Sequence, residues 1–218
     1  MTGFTRSPKL LRAGLVLISP ESGAVDRIIS LQYASETLTR SLEVQGIADE
    51  PDRSQPLRLT GPAVETISLE AALDATDQLE APGENPDAVA FGLFPVLSAL
   101  ETLIHPTTAQ LERQKAQSAA GSFEIAPAET PLTLFVWSAS RIVPVRVTQM
   151  SITEEMFDER LNPIHAKVSL SLRVLSVDDL GFGHRGSGLY LAYLKSKESF
   201  AARFRGGTLD ALGAGGLS

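Results

Sequence analysis

Asp74 and Asp77 stand three residues apart, a spacing that puts two carboxylates on one side of a helical turn, where they could ligate a hard cation. The same spacing serves helix capping or a solvated surface, and that is the reading adopted. Glu154, Glu155, Asp158 and Glu159 surround Phe157, with Arg160 beside them. Acid–base work by such a group needs one carboxyl kept protonated by burial. A turn-rich, charged run predicts instead a solvated or partner-facing loop. His165 falls at a strand start with no acid next to it in the chain, so neither a ligand nor a general-base role is assigned. Residues 181–186, GFGHRG, spell Gly-x-Gly-x-x-Gly. A dinucleotide fingerprint also needs a βαβ unit and a parallel α/β series around it, and none is present. The glycines predict a hinge before the last helix. The chain has no Walker A loop, no Gly-x-Ser-x-Gly and no His-Glu-x-x-His, and the absence of cysteine excludes disulfides, thiolate metal sites and cysteine nucleophiles. No catalytic, cofactor-binding or metal residue is predicted.

The elements that would position these residues centre on 141–174. Val168, Leu170, Leu172 and Val174 alternate with Ser169, Ser171 and Arg173, the period-2 pattern of a half-buried strand. Val143, Val145 and Val147 alternate in the same way, and then the apolar positions move to Met150 and Ile152. A one-residue phase change flips faces, so a β-bulge or bend is predicted at 148–150, where one sheet becomes two or reaches a neighbouring subunit. Asn162 and Pro163 mark the turn between the two strands.

Elsewhere, strands are predicted over 13–19, 28–34, 37–45, 57–60, 64–73 and 132–137. Arg40 interrupts the apolar stripe of the third of these. Residues 46–55 and 80–88 read as loops and 74–79 as one helical turn. The main helix spans 94–104, with Pro95 in its first turn, an apolar stripe from Val96 to Ile104, and Pro106 as its stop. Residues 107–121 fit a solvated helix or a mobile loop equally well. After a glycine-rich linker, residues 189–204 form an amphipathic helix with Tyr190, Leu194, Lys197, Ala201 and Phe204 along one line. Around it Arg185, Lys195, Lys197, Arg203 and Arg205 face Glu198 alone. Such a helix packs on its own domain, on a partner or on a membrane surface; its few large aliphatics make the membrane the poorest fit. The fold class predicted is mainly β: antiparallel sheet as a sandwich or barrel, one packed helix and a helical C-terminal extension. Residues 1–9 form an arm, 10–177 the β domain, and 178–218 the linker and basic helix.

At 218 residues the chain can bury a real core, and its net charge of −7 argues against non-specific nucleic-acid binding. The apolar run at 13–18 is too short for a signal-peptide core, and no stretch would span a bilayer, so cytoplasmic synthesis is expected.

Three separated segments carry a family resemblance. Residues 132–175 hold an apolar strand ending at Trp137, the strand Pro144–Val147, a Glu-x-Phe segment at Glu155 and Phe157, and Leu161, Asn162, Pro163 and Ile164 leading into the last long strand. Residues 61–80 (GPAVETISLEAALDATDQLE) and 94–106 (FPVLSALETLIHP) match in the same order. Together, over residues 10–176, they resemble the tube and baseplate adaptor proteins of contractile, phage-tail-like injection systems, of the tube-initiator type. The resemblance implies a tube-like antiparallel β fold with a tube-like β-sandwich or barrel, and a hexameric ring around a central channel. It implies partners in a spike or hub protein, an inner-tube protein and baseplate proteins, with no cofactor, no nucleic acid and no membrane insertion. Assembly would be cytoplasmic, in a particle that is released or stays inside the cell. Many members carry a LysM domain next; the residues after Val177 show no βααβ pattern, and the basic helix is expected to stand in for that contact. The predicted subunit or partner interface is therefore Leu161, Asn162, Pro163 and Ile164 at the turn, and Tyr190, Lys195, Lys197, Phe200 and Arg203 on the helix. A repeating inner-tube protomer is the alternative. A small binding or hydrolytic domain using the acidic run at 154–159 is the reading from a different class.

Overall fold

The structure, a computed structural model, describes residues 13–19, 22–46, 59–119, 130–207 and 210–212. The predicted arm at 1–9 and most of the loop at 46–55 lie outside the described residues. Seven strands form one antiparallel sheet: β1 (Ala13–Ile18), β2 (Val25–Leu31), β3 (Tyr33–Glu43), β4 (Val64–Asp74), β5 (Leu132–Ser138), β6 (Arg141–Phe157) and β7 (Pro163–Val174), in the order β2-β1-β5-β6-β7-β4-β3. The fold is mainly β with packed helices, as the alternation predicts.

The two outermost strands of the sheet, β2 and β3, are consecutive in the chain with only Gln32 between them. The sheet must therefore curl until its edges meet at that corner. The Gln32 side-chain carbonyl seals the corner by accepting the Asp74 N–H at 3.0 Å. The strand predicted over 28–34 is thus two strands meeting at a corner. Its apolar alternation, Ile29 and Leu31, belongs to β2 and faces the core.

The predicted bulge is present. Val147 pairs with Leu172 and Gln149 with Ser171, so Thr148 is the extra residue, and its hydroxyl donates to the Ser171 carbonyl at 3.0 Å. The face switch then keeps Met150 opposite Leu170 and Ile152 opposite Val168, on the apolar side. Before the bulge, β6 also pairs with β5, but that ladder ends at Thr133 and Val145. Pro131, with no N–H to donate, stands where β5 would otherwise continue.

Inside the curl lie Leu15, Leu31, Ile67, Phe135, Val143, Val145, Val168 and Leu172, all fully or almost fully buried. Helices pack at both ends. At the end where β4 finishes and β7 starts sit α1 (Thr76–Leu79), α2 (Pro86–Phe91) and α3 (Phe94–Glu101), with Leu97 and Leu100 of α3 in the core. The Leu93 N–H donates to the Pro163 carbonyl, and the Ala75 N–H to the Ile164 carbonyl, each at 2.9 Å. Gly92 (φ 56°) lies against that same Pro163 carbonyl, where a Cβ would clash with it. The loop predicted over 80–88 is shorter than expected, because Pro86 opens α2 rather than breaking structure. The main helix ends at Glu101, three residues early. α4 (Thr108–Ala119) is a helix with no buried residue, which decides the open choice over 107–121 for a solvated helix.

At the opposite end are α5 (Val177–Leu180) and α6 (Arg185–Arg203), the longest helix. The hinge predicted at the glycines is instead a tied turn. Ser176 and Asp179 form a capping box on α5. The Ser187 hydroxyl donates to the Gly181 carbonyl at 2.6 Å, and His184 caps α6 by accepting the Gly186 N–H at 3.0 Å. Gly186 is packed so closely that a Cβ would lie 2.5 Å from Leu180 and 3.2 Å from Leu132. The predicted linker is therefore structured, and α6 begins four residues before its predicted start at 189.

Candidate functional site

The residue that fixes α6 is Glu65, the first core-facing position of β4 and only 3% exposed. A buried carboxylate needs partners, and it has three. Arg40 Nε donates to Oε1 at 2.6 Å, the Tyr193 hydroxyl to Oε1 at 3.0 Å, and Lys197 Nζ to Oε2 at 2.8 Å. Lys197 also sits 4.1 Å above the Tyr193 ring. Burial pushes the Glu65 carboxyl up, but the hydrogen bonds from Arg40 and Lys197 outweigh it and hold the group below the usual carboxylate range. Burial and the charge of Glu65 push the Tyr193 phenol up to about 12. Arg40, which breaks the stripe of β3 in the sequence, is thus on the core side for a reason: it neutralises Glu65.

The predicted helix residues take two kinds of position. Tyr190 is buried in the chain's own core, and Lys197 is spent on Glu65. The helix thus docks on its own domain through Tyr190, with the Lys197 side chain still a third exposed. Lys195, Phe200 and Arg203 remain exposed, with Arg203 placed 5.9 Å over the Phe200 ring and Phe204 exposed just beyond. The line of residues predicted to share one face does not hold at its end, since Ala201 and Phe204 are both exposed.

The predicted turn residues divide in the same way. Asn162 is buried; its side-chain N–H groups donate to the Ala90 carbonyl at 3.2 Å and to Asp158 at 2.8 Å. Pro163 is buried, and Ile164 is held by its backbone bond to Ala75. Only Leu161, at 73% exposure and φ 63°, is presented outward. Asp158 organises the turn by accepting the Arg160 and Asn162 N–H groups, each at 2.8 Å, and these bonds, the Asn162 side chain's first, hold its carboxyl below the usual range.

His165 does have an acid beside it, contrary to the sequence reading. Glu155 lies directly across the β6–β7 ladder; its Oε2 is 3.2 Å from His165 Nδ1, and its Oε1 accepts from Lys167 at 2.9 Å. Cross-strand register brought together residues that sequence spacing keeps apart. The Lys167 hydrogen bond is the main cause that lowers the Glu155 carboxyl. Asp74 accepts the Thr76 N–H at 2.7 Å just ahead of α1, whose N-cap residue is Ala75 and which has no side-chain cap. Among the described residues no group of three or more His, Asp or Glu could hold a metal ion, and no helix is long and apolar enough to cross a membrane.

What remains is surface. The outer side of β3-β4-β7-β6 carries rows of short polar residues at matched register. One row runs Thr39, Ser68, Ser171, Gln149, and the next runs Glu70, Ser169, Ser151. Above them is a shallow groove of about 490 Å³. Beyond Val145, the β5-side edge of β6 over residues 147–157 pairs with no strand among the described residues. Exposed Met156, Phe157 and Leu161 end that edge, and Phe91 and Phe94 are exposed on the helices that touch the turn. The sequence signalled the rows through serine alternation, and the strand predicted over 132–137, preceded by Pro131, already starts where β5 starts.

No protein-family model matches the chain, and no curated protein matches it. Among solved structures it is similar to a chain in the tail of an empty GTA (gene transfer agent) particle of C6 symmetry, at 14% identity and a TM-score of 0.29, over 74% of this chain and 90% of that one. A likeness at that score carries no functional argument.

Proposed function

We propose that the chain is a structural subunit of a contractile, phage-tail-like injection particle: a hexameric ring adaptor that joins the inner tube to the spike hub and baseplate. The observation that carries this reading is the pairing of an open strand edge with a continuous polar sheet face. The edge of β6 over 147–157 offers backbone groups to another chain, and closing a ring removes such edges. The hydroxyl rows of β3, β4, β7 and β6 suit the wall of a water-filled channel. The segments at 61–80, 94–106 and 132–175 that resemble the adaptor family support the same reading. In it the subunit does no chemistry, and the exposed end of α6, with Lys195, Phe200 and Arg203, meets the baseplate.

Electron microscopy of particles carrying a tagged subunit tests the proposal. One labelled ring next to the spike is the expected result. Label along the whole tube would make the chain the repeating protomer, and unlabelled particles would overturn both assignments. A catalytic alternative built on the acidic run predicts that neutralising Glu154, Glu155 and Asp158 abolishes an activity while particles still assemble.

A further inference from the structure

We propose that the β6–β7 turn and the α2–α3 junction beside it form a docking site for a protein surface that carries lysine and arginine around an apolar pocket. The site is separate from the exposed end of α6 and does not depend on the particle to which the chain belongs. Its first ground is the backbone. Among the described residues, Met156 (φ 54°) and Leu161 (φ 63°) are the residues other than glycine that hold a positive φ. That region is unfavourable for any side chain with a Cβ, and more so for a bulky one. The Leu161 N–H donates to the Asp158 carbonyl and the Asp158 N–H to the Asn162 carbonyl, each at 3.0 Å, so a tight turn closes on a left-handed residue where glycine or asparagine is the ordinary choice. Leucine stands there instead. Both side chains point out of the fold, Met156 at 70% and Leu161 at 73% exposure, so burial does not offset the strain. Strained backbone that presents an exposed apolar side chain marks a contact with a partner.

The second ground is rigidity. The Asn162 side chain donates to the Ala90 carbonyl at 3.2 Å, and the Leu93 N–H to the Pro163 carbonyl at 2.9 Å, so the α2–α3 junction is fixed against the turn. Phe91 and Phe94 flank that junction and are both exposed. A base already held in place loses little freedom when a partner covers it.

The third ground is charge. Glu154 and Glu159 stand two residues before Met156 and Leu161, are exposed, and make no ion pair among the described residues. Glu155 is engaged by Lys167 and His165, and Asp158 by the N–H groups of the turn. Arg160 is the one cation within the turn. The apolar side chains are thus rimmed by free carboxylates, which a basic surface complements.

The probe is a synthetic amphipathic helix of leucine and lysine, labelled for fluorescence anisotropy and titrated with the full-length protein. Wild type binds it, less tightly as salt rises. Leu161→Gly and Met156→Gly weaken binding by about tenfold or more, yet raise the urea midpoint, because glycine takes a positive φ without strain. Leu161→Asn, which tolerates the same backbone, weakens binding in the same way. The double variant E154Q/E159Q weakens binding and flattens its salt dependence, sparing the turn-forming Asp158. A helix of leucine and glutamate does not bind. Equal binding by wild type and Leu161→Gly overturns the proposal, as does a wild type that ignores the lysine helix or takes the glutamate helix as tightly. So does a lower urea midpoint for Leu161→Gly, since Leu161 then serves the turn itself. Self-association that Leu161→Gly abolishes in sedimentation experiments gives the site to a second copy and overturns the partner class.

Discussion

Glu65 is the side chain that anchors α6 to β4. Removing it leaves Arg40 and Lys197, both part-exposed, without their shared counter-charge, so Glu65→Ala destabilises by about 3 kcal/mol, read by urea unfolding. Tyr193→Phe removes one neutral donor and leaves both ion pairs, and costs about 1 kcal/mol. Because folding lowers the Glu65 pKa, its contribution is present above the unfolded value near 4.5 and is lost as pH falls through the lower folded value. Wild type therefore loses stability more steeply below about pH 4.5 than Glu65→Gln does, in parallel acid titrations of unfolding. None of this was legible in the sequence. Lys197 lies 132 positions from Glu65, and Arg40 reads as a flaw in an apolar stripe until its partner is known. The Glu155–His165 contact was hidden in the same way, by a register that spacing does not encode.

Among the elements, β6 was the most legible. Its change of phase at Thr148 is a local property of the sequence, and the bulge follows from it. Deleting Thr148 leaves Val147 opposite Leu172 and Gln149 opposite Ser171 in one unbroken ladder, with Met150 and Ile152 still on the apolar side. The expected outcome is a folded product that lacks the bulge and the Thr148 bond to the Ser171 carbonyl, checked by circular dichroism and urea unfolding. α6 divides differently. Truncation after Lys197 keeps Tyr190, Tyr193 and the Glu65 contacts and leaves the unfolding midpoint nearly unchanged, whereas truncation after Gly188 exposes the core and unfolds the chain. Pro86 and the run at 181–186 were misread because proline and glycine punctuate loops and helix starts alike. What separates the two cases is a contact made elsewhere, with Pro163 for Gly92 and with Leu180 and Leu132 for Gly186.

For the molecule as a whole, alternation disclosed a curled antiparallel sheet, but not where it closes. The β2–β3 corner depends on Gln32 meeting the end of β4, a contact between distant parts of the chain. If the adaptor reading holds, purified protein forms single rings and no long tubes at any concentration, seen by negative-stain microscopy; self-propagating tubes would assign the repeating role instead. The Glu65 cluster also imposes an order on synthesis. The carboxylate leaves the ribosome early, while Tyr193 lies 128 positions later. At 5–20 residues per second, roughly 6–25 s pass before the last helix is made. Throughout that interval the nascent chain has Arg40 as its one available counter-charge among these partners, and its core lacks a lid. A translation product that stalls before Lys197 is thus denied the finished fold.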